Sequence, residues 1–178
     1  SVRHAGDELG EGNELNCISL GGVGDGTVID HVECYANFDD GFENFGGTVN
    51  MQHLHALFIG DDSLDVDQGY TGVNQFAFVA MPFFNENSGD VFGSGSGDKA
   101  GEWDGDDFDE ASSVNVNVRI DQPLAVTDPT PWPLSSPAFY NVTVIGSTPD
   151  GGNPAVSPAA ANLGVQMRNG FAGSLNNS

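Results

Sequence analysis

A repeat limits what this chain can fold into more than any other feature does. When IDHVECYANFDDGFEN (29–44) is aligned with MQHLHALFIGDDSLDV (51–66), Val32 meets Leu54, Cys34 meets Ala56 and Ala36 meets Phe58. Asp39-Asp40 meets Asp61-Asp62 and Glu43 meets Asp65, all 22 positions apart. A further step of 22 reaches Phe76, which opens FAFVAMP with the same alternation. A period near 22 is too short for two packed helices and suits one turn of a coil of short strands. Alternation with period two gives the expected inward set: Val32, Cys34 and Ala36, then Leu54, Ala56 and Phe58, then Phe76, Phe78 and Ala80. Like residues would then stack rung on rung, with His31, Glu33, His53, His55 and Gln75 facing solvent. LNCISLGGVGDGT (15–27) fits as an earlier unit with Ile18 and Leu20 inward.

The expected fold is therefore all-β: one domain over residues 1–178, a right-handed parallel β-helix (solenoid) with rungs of about 22 residues and two long excursions. The first, 82–111, is Gly/Asp-rich and reads as an inserted loop. The second, 121–137, is Pro-rich and must run extended. SVNVNVRI (113–120), FYNVTVIG (139–146) and LGVQMRNGFAGSLNNS (163–178) return to strand-and-turn patterning. A first residue that is not Met, and an end without a cap, predict a fragment or processed part of a larger protein.

Charge narrows the partners. Lys plus Arg is 4 against 26 Asp plus Glu, a formal net charge of −22. Arg3, Lys99, Arg119 and Arg168 are too few and too scattered for a nucleic-acid or anionic-membrane footprint, and no apolar run is long enough for direct membrane insertion. The acidity fits cation binding, a saline habitat, or both. Cys17 and Cys34 could pair in an oxidising compartment, but strand parity points Cys34 inward and Cys17 outward, which argues against the bond.

The span NELNCISLGGVGDGTVIDHVECYANFDDGFENFGGTVNMQHLHALFIGDDSLDVDQGY resembles the right-handed β-helix region of large secreted or surface proteins of bacteria. FYNVTVIG and GVQMRNGFAG are similar to later rungs of that region. The resemblance implies the fold and a secreted, cell-surface location. More distantly the chain is similar to pectate lyases and polygalacturonases. Gly60-Asp61-Asp62 echoes a catalytic motif of the polygalacturonases, without a counterpart of their other acidic, His-Gly and basic motifs.

The main candidate site is the acidic ladder: Asp39, Asp40 and Glu43 beside Asp61, Asp62, Asp65 and Asp67 on the following rung. Carboxylates one strand spacing apart must be protonated, bonded to turn amides, or bridged by a cation, and calcium accepts six to eight oxygens in flexible geometry. The plainer alternative is Asp capping turn amides. A second candidate is the loop Glu102, Asp104, Asp106, Asp107, Asp109 and Glu110, whose alternate acids suit calcium or simply a solvated surface. His31, His53 and His55, with Glu33, could offer a transition-metal site, although stacked surface histidines are commoner. In a glycosidase, Asp40, Asp61 and Asp62 would be the catalytic carboxylates. Trp103, Trp132 and Tyr70 are expected to be exposed for stacking on sugar rings.

The reading expected from these features is a non-catalytic extracellular structural or adhesive module stabilised by calcium. Its partners would be like subunits in a surface assembly or filament, or the rest of a larger surface protein. The alternative is a carbohydrate-active enzyme or glycan-binding protein that uses the Asp ladder.

Overall fold

The computed structural model describes residues 1–10, 13–82, 99–105, 134–146, 163–168 and 171–178. Its strands are β1 (Val2–Arg3), β2 (Glu8–Gly10), β3 (Asn13–Glu14), β4 (Ile18–Gly21), β5 (Val28–Tyr35), β6 (Phe42–Phe45), β7 (Asn50–Leu57), β8 (Leu64–Asp67), β9 (Val73–Ala80), β10 (Lys99–Asp104), β11 (Ala138–Tyr140), β12 (Thr143–Ile145), β13 (Leu163–Arg168) and β14 (Ser174–Asn176). Two sheets enclose one core: β1-β5-β7-β9-β11-β14, with β12 also on β9, and β13-β10-β8-β6-β4. Among the described residues every pairing within these sheets is parallel, and only the small β2–β3 ribbon is antiparallel. This is an all-β parallel β-helix, and no described helix is long and apolar enough to cross a membrane.

The register shows how one coil stacks on the next. Val32 pairs with Leu54 and Cys34 with Ala56, at the expected spacing. On the second sheet Phe42 pairs with Leu64 and Glu43 with Asp65. The third rung departs from the expectation. Leu54 pairs with Ala77, not Phe76, and Ala56 pairs with Val79. Asp67 lies 22 positions from its partner Phe45, but Asn74 lies 23 from its partner Met51, so the turn between them holds one extra residue. A one-residue slip exchanges the two faces of a strand. Ala77, Val79 and Met81 are accordingly buried, while Phe76 is 47% exposed. Phe76, Phe78 and Ala80 are not the inward set.

Three columns of left-handed corners bend each coil. His31, His53, Phe76, Asn141 and Asn177 follow residues paired across successive rungs, and all have φ between 50 and 57°. His4, Ala36 and Phe58 form a second column, and Gly22, Gly46 and Gln68 a third. Every non-glycine residue with positive φ among those described belongs to one of these columns. Each such corner costs roughly 1–2 kcal/mol. The corner amides keep the ladder unbroken: Ala36 N–H donates to Leu57 O at 2.8 Å, Phe58 N–H to Ala80 O at 2.8 Å and Gly46 N–H to Asp67 O at 2.9 Å.

Three further expectations change. Cys17 and Cys34 are joined, with Cα atoms 6.1 Å apart. Cys17 lies in the bend before β4, where strand parity does not govern its direction, and its N–H donates to Asp40 O at 2.8 Å. A loop of this length gains about 3 kcal/mol from closure. Within the stretch read as loop (82–111), Lys99–Asp104 is a strand that continues the second sheet. Trp103 on it is fully buried, stacked on Phe139 with centroids 4.0 Å apart, and its Nε1–H donates to Leu64 O at 3.1 Å. Tyr70 is also fully buried, its hydroxyl 2.7 Å from Val49 O and 3.0 Å from Asn74 Oδ1. Neither ring is available to a sugar. The predicted strand 113–120, residues 121–133 of the Pro-rich excursion, and Trp132 lie outside the described residues.

The extra-residue turn closes at Gly72, where a Cβ would lie 1.9 Å from Val49 O and 2.3 Å from the Tyr70 hydroxyl. Gly72→Ala is expected to destabilise the fold by at least about 2 kcal/mol. Gly24→Ala, with open space around it, is expected to leave the thermal transition unchanged. Equal melting temperatures for the two variants would contradict this packing.

Candidate functional site

The outward face of the second sheet carries the acidic ladder. Phe42, Leu64 and Trp103 point into the core, so alternation turns Glu43, Asp65 and Glu102 outward, and these three occupy one register position on consecutive rungs. The corners before β6 and β8 add Asp39-Asp40 and Asp61-Asp62. Together with Glu14, Asn16, Ser19 and Phe45 they line a cleft of about 410 Å³. Adjacent strands lie ~4.8 Å apart. At that distance two unit negative charges repel by about 3 kcal/mol at an effective dielectric constant near 20.

The cleft responds by holding protons. Burial, then the charges of Asp65, Glu43 and Asp39, push Asp40 well above the usual carboxylate range, although the Asp62 amide opposes this by donating to Asp40 Oδ1 at 3.0 Å. Burial, then Asp39 and Asp67, raise Glu43 to about 8. Asp65 is also raised well above its ordinary value, by burial and then by Glu43, Asp62, Glu102 and Asp67. Burial, the hydrogen bond to Glu102 and the charge of Asp61 raise Asp62 to about 9, with Lys99 opposing. Glu102 moves the other way. Burial works against its charge, but the hydrogen bond from Asp62 and the cations Lys99 and Arg168 outweigh it and lower its pKa. Asp62 therefore carries the proton of a carboxylic acid–carboxylate pair.

The geometry also suits a cation. Carboxylate oxygens of Asp39, Asp40 and Asp61 all lie within 4.8 Å of one another, and so do those of Asp40, Glu43 and Asp65. Calcium holds oxygens at 2.3–2.6 Å, so donors on opposite sides of the ion are about 4.8 Å apart. Asp40 belongs to both triads. Asp62 is 3% exposed and lines the same cleft, and its Oδ1 finds no hydrogen-bond partner among the described residues. Asp67 belongs to neither triad. Asp40 also plays the plainer capping role through the Asp62 amide.

The sequence reading placed no cation here, yet Lys99 Nζ lies 3.1 Å from Glu102 Oε2 and 3.5 Å from Asp62 Oδ2. Arg168 Nε donates to both oxygens of Asp104, at 2.7 and 3.0 Å, and its guanidinium pairs with Glu102. Both cations become visible only once Lys99–Asp104 is recognised as a strand paired to β8 and β13. Of the second acidic candidate, Asp104 is buried under Arg168 and Glu102 belongs to the first cleft. Asp106, Asp107, Asp109 and Glu110 lie outside the described residues. His31 and His53 sit on the other sheet, and His55 packs edge-on against Phe78.

Titration offers a direct check. Glu43 and Asp62 ordinarily titrate near 4.5 and 3.8 but do so near 8 and 9 in the fold. The folded state keeps protons that the unfolded chain releases, so their stabilisation is complete below about pH 4 and is lost as the pH climbs toward 9. The lowered acids Asp30, Glu33 and Glu102 act in the opposite sense, below that window. Chelator-treated protein should therefore melt at progressively lower temperature between about pH 5 and pH 9. Glu43→Gln should flatten the decline. A wild-type melting temperature that held level or rose across the window would contradict the account.

A family model described as a pectate-lyase-like β-helix domain matches residues 1–178. Neither a curated protein nor a solved structure matches the chain.

Proposed function

Because the chain belongs to the pectate-lyase-like β-helix family, we propose that it is a rigid extracellular module whose acidic cleft takes up divalent cations, with calcium the ion its donors suit. The observation that carries this reading is the sharing of Asp40 between two triads of carboxylate oxygens at calcium-spanning distances. A bridging ion replaces the protons that Asp40, Glu43 and Asp65 otherwise need, and so couples successive rungs electrostatically as well as through the ladder. The Cys17–Cys34 bond supports a location outside the reducing cytosol. The role is structural: a stiff element in a larger surface protein, or one that stacks on like subunits in an assembly.

Calcium should raise the melting temperature by roughly 5–10 °C when present about 100-fold above its dissociation constant. Asp40→Asn, which reaches both triads, should abolish most of that rise. A transition indifferent to calcium and chelator would sink the proposal.

One observation favours a second reading, hydrolysis of a neutral glycan. Asp62, raised to about 9, is a proton donor in a cleft that also holds Asp40 and Asp61, and glycosidic cleavage needs such an acid. Glu102, hydrogen-bonded to Asp62, is closer than the roughly 5 Å that the two carboxyl groups flanking a glycosidic bond need, so Asp40 or Asp61 stays the second carboxylate of this reading. Release of reducing sugar from neutral glycans, lost in Asp62→Asn while the calcium-dependent melting rise persists, would establish this activity. No release from any glycan tested would remove it.

A further inference from the structure

On the opposite side of the coil the left-handed corners bring two histidines together. His31 and His53 follow the paired residues Asp30 and Gln52, and both bend the strand at positive φ, 54 and 53°, before pairing resumes at Val32 and Leu54. Identical backbone geometry on consecutive rungs lays one imidazole over the other, with centroids 4.2 Å apart and planes 26° from parallel. Both Nδ1 atoms reach the same oxygen, Asp30 Oδ1, at 2.6 Å from His31 and 2.8 Å from His53. Below them Phe76, in the same corner column, stacks on His53 at 5.1 Å and 9°. His53 is thus held between two rings, and its Nδ1 is aimed by the fold.

We propose that His31, His53 and Asp30 form a binding site for a transition-metal dication such as zinc, distinct from the acidic cleft. The three donor atoms lie within 4.8 Å of one another. A tetrahedral zinc with bonds of about 2.0–2.1 Å places its ligand atoms about 3.3 Å apart. The two Nδ1–Oδ1 separations therefore need to open by about 0.7 Å at His31 and about 0.5 Å at His53. His31, whose side chain is 73% exposed, can supply that by rotation. Two imidazole nitrogens and one carboxylate leave a fourth position for water or an incoming ligand. The donor set also separates the two sites chemically. Imidazole suits zinc, copper and nickel, whereas the all-oxygen cleft suits calcium. The anionic surface raises the local concentration of any dication.

The sequence pattern had suggested Glu33 and His55 as companions, and neither takes part. Glu33 Oε1 accepts from Arg3 at 2.7 Å and from Ser1 at 2.8 Å. Asp30 takes the place given to Glu33 because the corner turns both imidazoles back toward the residue that precedes His31.

The test is a cobalt(II) titration followed by visible absorption, with zinc as competitor, in excess calcium so that the acidic cleft is filled. Wild-type protein should develop the intense visible bands of tetrahedral cobalt, saturating at one equivalent and erased by zinc. His31→Asn and His53→Asn should each weaken binding by more than about tenfold while the protein keeps a cooperative thermal transition. Asparagine is chosen because Asn141 and Asn177 already occupy this corner column. Asp30→Asn should weaken binding in the same way. The proposal is overturned if no such spectrum appears, if the histidine variants bind as tightly as wild type, or if Asp40→Asn is the substitution that removes the cobalt signal.

Discussion

Each coil of this protein passes its backbone hydrogen bonds to the coil above and below, and register between coils is the constraint on which everything else rests. A parallel ladder fixes not only which strands pair but which residues sit over one another. Side chains equivalent by rung thus become neighbours in space whether or not they attract. Apolar residues gain from this inside: Cys34, Ala56 and Val79 fill one stacked line, all buried. Outside, the same rule stacks Glu43, Asp65 and Glu102, which repel. The fold compels that acidic column. The raised acids, the Asp62 amide on Asp40, and the ion pairs of Lys99 and Arg168 are the ways the molecule accommodates it.

The corners complete the argument. A strand cannot coil without bending, and among the described residues the left-handed bends of the coil fall in three vertical columns, single residues in two of them and doubled by Gly47 and Gly69 in the third. Glycine fills part of one column and asparagine part of another, but His31, His53, Phe58 and Phe76 occupy the same conformation. The conformational cost is borne because a corner amide bonded to the next rung gives up less by staying strained than by leaving the ladder. Vertical repetition of strained corners also repeats side-chain direction, which is why two imidazoles converge on one carboxylate.

Local alternation and spacing made the first two full rungs legible. The pairs Val32–Leu54 and Glu43–Asp65 follow directly from the 22-residue offset. Phe76 was misplaced because one added residue between Asp67 and Asn74 flips the strand's faces, and alternation cannot tell one face from the other. Cys17 lies outside a strand, where parity carries no information. β10 was hidden because Gly101 and its acids read as loop. Its strand identity comes from pairing with Asp65 and Val66 across an insertion, not from its own propensities. With β10 hidden, Trp103 looked like a surface aromatic, and Lys99 and Arg168 looked remote from the acids they hold. The carboxylates themselves were legible, since they repeat with the rung. Their cationic partners do not repeat, so no periodicity announced them.

The most direct measurement is a crystal structure from calcium-containing solution with an anomalous difference map across the acidic cleft. The account predicts a peak bonded to Asp40 at about 2.3–2.6 Å, shared with Asp39 and Asp61, or with Glu43 and Asp65. A map without a peak, in which the same carboxyl groups sit at hydrogen-bonding distance from one another as protonated acids, would contradict it.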